Sequence, residues 1–186
     1  LLLAETGYVP KNSVRQQRLR VFLTNTLEEA HPDTGSIFAG WLSHEATEAN
    51  LVKRDTPLMV LIGNPPYANF GQMNQGEWIK GLIADYKKDL NEKKINLDDD
   101  YIKFIRYGQY CIEKNGEGIL AYISNNSFID GITHRQMRKS LLDVFTSIYV
   151  LNLHGSSMRY EQSPDGSKDE NVFDIRTGVS INIFVK

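Results

Sequence analysis

Asn64-Pro65-Pro66-Tyr67 stands directly after the apolar run Leu61-Ile62-Gly63, and these residue types at this spacing suit one chemical task. An exocyclic amine conjugated with a purine ring is a poor nucleophile, because its lone pair is delocalised into the ring. If the Asn64 side-chain carbonyl and the Pro65 backbone carbonyl both accept from the NH2 group, they favour a pyramidal nitrogen with its lone pair aimed at a methyl donor. Tyr67 offers a flat face for the ring. Each proline fixes its own φ and holds the residue before it extended, so Asn64 and Pro65 are rigid and their carbonyls arrive aimed. The chemistry is methyl transfer onto a planar amine nitrogen, with Asn64, Pro65, Pro66 and Tyr67 as candidate catalytic residues. The plainer reading is a strand terminator, since Asn and Pro dominate turns for local steric reasons.

A site of this kind needs a strand that ends at Asn64. Leu58 to Ile62 is a continuous apolar run of the sort found in a buried parallel strand, and ligands of open α/β sheets bind outside the carboxyl ends of such strands. Upstream, Val21 to Leu23 is a short strand candidate. His31 to Thr56 is mixed and polar, with a turn at Pro32-Asp33-Thr34-Gly35, and reads mostly as loop with a short helix. Downstream, Trp78, Leu82, Tyr86 and Leu90, with Ile79 and Ile83 beside them, make Glu77 to Leu90 an amphipathic helix. A second helix runs from about Asp99 to Lys114 and stops at Asn115-Gly116. Ile119 to Ile123 is the next strand, and Met137, Leu141, Leu142 and Phe145 form the inner face of a third helix. Ile148 to Leu153 and Val179 to Val185 are the last strands. The order β, α, β, α, β, β predicts a mainly parallel sheet with helices on both faces, its final two strands joined by a loop.

Composition sets bounds. The 186 residues suit one domain, and 41% hydrophobic content supports a sizeable core. A net charge of -2 gives no global attraction to nucleic acid, so any such contact must come from local patches. Cys111 is the single cysteine, which excludes an internal disulfide and fits a reducing cytoplasmic setting. No apolar run approaches membrane-spanning length. The four histidines lack ligand spacing, so no metal is expected. Asp85 with Glu92-Lys93-Lys94 has the residue types of a nuclease site but follows an amphipathic helix into a charged run, which reads as a solvated face. Arg135, Arg138 and Lys139, and the group Lys11, Arg15, Arg18 and Arg20, are candidates for phosphate contact or for solubility alone. Ser163 to Asp169 reads as an exposed flexible loop.

Several blocks resemble the N6-adenine DNA methyltransferase domains of single-chain restriction-modification enzymes, of the type ISP and type IIG kinds. Besides the tetrapeptide, they are Arg20-Val-Phe-Leu-Thr-Asn-Thr-Leu-Glu28, Leu97-Asp-Asp-Asp-Tyr-Ile-Lys-Phe104 and Gly118-Ile-Leu-Ala-Tyr-Ile-Ser-Asn-Asn-Ser-Phe128. Arg135 to Phe145, Tyr149-Val-Leu-Asn-Leu-His-Gly155, Asn171-Val-Phe-Asp-Ile175 and Gly178-Val-Ser-Ile181 complete the set. The resemblance implies a Rossmann-like S-adenosylmethionine-dependent methyltransferase sheet with a terminal antiparallel hairpin, acting on an adenine flipped out of double-stranded DNA. It implies that Phe173 stacks on the base opposite Tyr67, and that Asn25 and Phe104 contact the adenine of the S-adenosylmethionine cofactor. On residue type alone, Asn25 is equally a strand-end turn residue, Phe104 helix core, and Phe173 core.

No glycine-rich strand-to-helix loop is found, because Gly116-Glu117-Gly118 precedes a strand and reads as a turn. Nor does an acidic residue close a second strand. Residues 1–186 are therefore expected to be a partial catalytic domain, with the cofactor loop upstream, the target-recognition domain downstream, and other domains of a parent polypeptide as partners. Two alternatives remain open: N-methylation of a glutamine side-chain amide in protein, and a catalytically inert module that contacts DNA or other domains.

Overall fold

The computed structural model describes residues 21–30, 40–67, 74–92 and 96–186. The basic group at residues 11–20, the Pro32–Gly35 turn and Lys93-Lys94 lie outside them. Among the described residues, four α-helices, α1 (Gly40–Asp55), α2 (Glu77–Lys87), α3 (Asp100–Asn115) and α4 (Arg135–Val144), accompany four strands. The strands are β1 (Val60–Gly63), β2 (Ile119–Asn125), β3 (Ser147–His154) and β4 (Val179–Val185), in the sheet order β1-β2-β4-β3.

β1 pairs parallel to β2, while β4 runs antiparallel to both β2 and β3. The first three strands therefore share one direction, and β4 alone is reversed. β4 inserts between β2 and β3, so the final two strands form the expected antiparallel pair. All four strands begin and end within two residues of the positions their apolar runs suggest.

The core lies on one face of this sheet. Leu120 and Tyr122 from β2 and Phe184 from β4 meet Ile83 and Tyr86 of α2, Tyr101, Ile102, Ile105 and Ile112 of α3, and Met137 and Leu141 of α4. Gly108 lets α3 sit directly on β2, since a Cβ there would fall 2.5 Å from a Leu120 methyl. Gly116 ends α3 in the left-handed conformation at φ 88°, its N–H bonding to the Ile112 and Glu113 carbonyls.

The opposite face departs from expectation. Val60, Ile62, Ile119, Tyr149, Leu151 and Ile183 point away from the helices and are exposed, Ile62 at 80%. Helices were expected on both faces; α2, α3 and α4 pack against one, and these six apolar side chains remain open to solvent. A continuous apolar run reports that both faces of a strand are apolar, and it carries no information on what covers each.

Three other expectations need correction. Val21 to Leu23 forms no strand; Leu23 is 96% exposed, and so short a run finds no ladder partner among the described residues. Where a short helix was expected before Thr56, α1 spans 16 residues. Its apolar residues follow no helical period, and Ala49 is its only buried one among those described. Leu142 does not join Met137, Leu141 and Phe145 inside: these three follow at i, i+4 and i+8, and Leu142 is turned off that stripe and exposed.

Candidate active site

Asn64 lies one residue past β1, at the carboxyl edge of the parallel strands. Gly63, just before it, faces the Tyr122 ring so closely that a Cβ would come within 2.9 Å of it. The strand end is thus seated on β2, and the prolines carry the chain outward from it. Pro65 is buried, and Tyr67 folds back so that its hydroxyl donates to Asn64 Oδ1 at 2.6 Å. Burial raises the Tyr67 phenol above its ordinary value, so at neutral pH it keeps the proton it donates.

Phe173 meets Tyr67 here. The two ring centroids are 5.9 Å apart with 33° between their planes. The fold thus brings together Asn64, Pro65, Pro66, Tyr67 and Phe173, although more than a hundred residues separate the two aromatics. Phe173 is exposed, which disfavours the reading of it as core.

Behind the tetrapeptide opens a cavity of about 490 Å³. Leu58, Val60, Asn64, Phe104, Tyr107 and Tyr122 are among its walls. Phe104 thus joins the tetrapeptide on a common wall. Burial raises Tyr107 and Tyr122 far above the ordinary phenol range and lowers Lys53, the cation at the cavity's margin. Asn25 is not among the lining residues. Its Oδ1 accepts from the Leu27 N–H at 3.1 Å, and its Nδ2 donates to Glu28 and Asn74, each at 3.0 Å. The Asn25 amide is spent on a local turn, which Lys53 also holds through the Asn25 and Glu28 carbonyls.

Sequence reasoning missed the polar layer beside the site. Asn126, just past β2, donates to Asn152 Oδ1 at 2.9 Å. Buried Asn182 reaches the Tyr122 carbonyl, Ser124 Oγ and the Ser180 carbonyl. These groups tie the carboxyl ends of β2 and β3 to the start of β4. Among the described residues no buried side-chain nitrogen or oxygen lacks a partner. The Ser-Asn-Asn-Ser run was a visible signal, but only the antiparallel register shows what it pairs with.

Residues 155–178 connect β3 to β4. Ser163 to Asp169, expected to be flexible, closes as a hydrogen-bonded turn: Ser163 N–H reaches the Ser167 carbonyl at 2.9 Å, and Gln162 bridges to Lys168. Asp169 accepts from the Gly155 N–H and Glu161 from the Ser156 N–H, closing the base of the loop. Both carboxylates come within 4.8 Å of the His154 ring nitrogen.

The basic side chains on α4 are largely committed. Arg138 donates to the Phe128 and Gly131 carbonyls, Arg135 to Glu92, and Lys139 pairs with Asp143. Asp85 pairs with Lys88 and Arg106, as a solvated acidic side chain does. No helix among the described residues is long and apolar enough to cross a membrane.

A mostly parallel sheet with one reversed strand, a carbonyl-bearing amide at a strand end and an aromatic-walled cavity behind it define an α/β domain of the methyltransferase class. The model of the Eco57I restriction-modification methylase family matches residues 14–158, and the chain belongs to that family. Three solved structures resemble it. The ATP-dependent Type ISP restriction-modification enzyme LlaBIII bound to DNA shares 29% identity at a TM-score of 0.71, over 89% of this chain and 11% of that one. A nuclease-deletion mutant of the Type ISP enzyme LlaGI, in complex with a DNA substrate mimic, shares 26% at 0.69, over 89% and 16%. The DrdV–DNA complex shares 32% at 0.64, over 79% and 15%. The chain thus spans about a tenth to a sixth of the length of these proteins. No curated protein matches it.

Proposed function

We propose that this chain carries the target-base half of a site-specific DNA adenine-N6 methyltransferase within a longer restriction-modification polypeptide. One observation carries the reading: the Asn64 carbonyl lies at a parallel strand end, with the Tyr67 and Phe173 rings 5.9 Å apart beside it. A planar base slid between two rings needs about 3.5 Å to each face, or about 7 Å in all. The clamp must therefore open by roughly 1 Å to admit one. Opening also frees Asn64 Oδ1, since the Tyr67 hydroxyl now occupies it. In this reading Tyr67 OH stands where the substrate NH2 group will donate.

With the base in place, Asn64 Oδ1 and the Pro65 carbonyl accept hydrogen bonds from the two amine N–H groups and turn the nitrogen lone pair out of conjugation. The stiff Pro65-Pro66 backbone keeps these acceptors from following the base and so holds the amine at a fixed angle. Flipping an adenine costs a few kcal/mol, and stacking on aromatic faces returns roughly 1–3 kcal/mol per base.

S-adenosylmethionine would supply the electrophilic methyl group. The cavity wall fits part of it: Phe104, Tyr107 and Tyr122 suit a purine ring, whereas among the described residues no carboxylate lines the cavity to hold ribose hydroxyls. The remainder of the cofactor's contacts would come from other segments of the polypeptide, along with target recognition. Phe104 is the wall residue we assign to the purine. Asn25 would have to give up its turn to reach it.

The test is label transfer from S-adenosylmethionine to mixed-sequence DNA by the longest natural polypeptide carrying this chain, with Asn64→Ala beside it. Label in N6-methyladenine that the variant loses supports the reading. Label in protein glutamine, or none despite cofactor binding, overturns it.

A further inference from the structure

Phe173 sits in no helix or strand, yet its ring is held against Tyr67. Of the groups that hold its loop, one side chain two residues before it bonds the Phe173 backbone directly. Asn171 Oδ1 accepts from the Phe173 N–H at 2.9 Å, while its Nδ2 donates to the Thr177 carbonyl at 2.7 Å and the Gly155 carbonyl at 3.1 Å. One half-buried amide thus joins the turn that carries Phe173 to both ends of the long loop, at the exit of β3 and the entry of β4. The backbone is fitted to it as well. Gly155, at φ 77°, passes so close that a Cβ would lie 2.6 Å from Asn171 Cα.

We propose that Asn171 is the positioning residue for Phe173: it touches neither base nor cofactor and sets where the second face of the clamp stands. The proposal rests on the methyltransferase reading for its functional consequence, and on geometry alone for its structural one. An amide is required because the role needs an acceptor and two donors on one short side chain. Asp retains the acceptor for Phe173 N–H and loses both donors. Ala loses all three bonds. Because the loop is on the surface, its release leaves the helices and sheet folded.

Two readouts separate the proposal from the reading beneath it. In the polypeptide named above, with 4-fluorophenylalanine at position 173, the fluorine resonance reports ring packing against Tyr67 whether or not DNA is methylated. Asn171→Ala is expected to move it toward the solvent-exposed value that Tyr67→Leu also gives, with Asn171→Asp between. An unmoved resonance in Asn171→Ala overturns the proposal.

The second readout is methylation of a duplex carrying a mapped target adenine. Phe173→Ala is expected to lower kcat/KM about tenfold and Asn171→Ala about fivefold, on the scale of one lost stacking face. The double variant should be no worse than about twofold below Phe173→Ala, because residues acting as one unit are not additive. On a duplex with the target adenine opposite an abasic site, flipping costs less and both deficits shrink. A merely structural loss would be additive and indifferent to the abasic partner, which overturns the proposal. If the wild type methylates nothing, the functional reading fails while the fluorine result still decides the positioning claim.

Discussion

Tyr67 and Phe173 reach the same place by opposite means. Tyr67 follows a strand and two prolines, so the covalent geometry of four consecutive residues aims it. Phe173 follows no regular element, and side-chain amides and carboxylates gather a long loop around it. The difference teaches where each face is vulnerable. One side of the clamp resists any single polar change, and the other depends on several.

The largest effect is expected where both sides converge. Asn64→Ala removes the acceptor that both the Tyr67 hydroxyl and, in our reading, the substrate amine use. Methyl transfer should fall about 10²- to 10³-fold in kcat, as when a preorganised polar group is lost from an active site. DNA affinity should change little. A comparable loss in affinity with kcat intact would place Asn64 in binding and not in activation.

Next come the rings themselves. Tyr67→Ala should cost about 1–3 kcal/mol of flipped-base stabilisation, roughly 5- to 150-fold in kcat/KM. It should cost more than Phe173→Ala, because Tyr67 also borders the Asn64 carbonyl. Thermal unfolding should separate the pair further. Phe173 is exposed, so its loss should shift stability by less than about 0.5 kcal/mol. If Phe173→Ala instead unfolds the protein, the ring is a core residue and the clamp has one face.

Tyr67→Phe sharpens the comparison by keeping the ring and deleting one bond. The 2.6 Å hydrogen bond to Asn64 competes with the substrate amine in this reading, and such a bond is worth about 1 kcal/mol net. Its removal should leave methylation unchanged or raise it by up to about fivefold. A fall of more than about tenfold would mean the hydroxyl itself takes part in the reaction.

The same contrast explains what the sequence made legible. Asn64-Pro65-Pro66-Tyr67 declares its geometry locally, since prolines act on their immediate neighbours. Helices α2 and α3 were readable from apolar period, and Gly116 marked the end of α3. α1 was not, because its apolar residues follow no helical period and Ala49 alone is buried among its described side chains. The bare sheet face was half legible: continuous apolar runs give two apolar faces, and long-range packing alone decides which is covered. Phe173 was named through family resemblance. Nothing local in Asn171-Val172-Phe173 says that the amide will find Gly155 and Thr177, because those contacts exist only after β3 and β4 have paired.

The smallest effect, acid against base, separates the two sides by their chemistry. Arg159 clasps Asp130 with two bonds, at 2.6 and 2.9 Å, pinning the loop of Phe173 to the turn after β2. The hydrogen bonds from Arg159 hold the Asp130 carboxyl below its ordinary value. A depressed folded-state value means the clasp contributes fully above the unfolded carboxylate range and is lost as pH falls through the folded one. Both groups are largely exposed, so screening limits the pair to roughly 0–1 kcal/mol. On the other side, the raised Tyr67 phenol yields its proton only above about pH 10, the ordinary value for tyrosine. As pH falls below about 3.8, the ordinary carboxylate value, the fluorine resonance at position 173 should therefore drift toward its solvent value, and Asp130→Asn should show that drift already at pH 6. A drift equal in Asp130→Asn and wild type would assign acid release to another group in the loop.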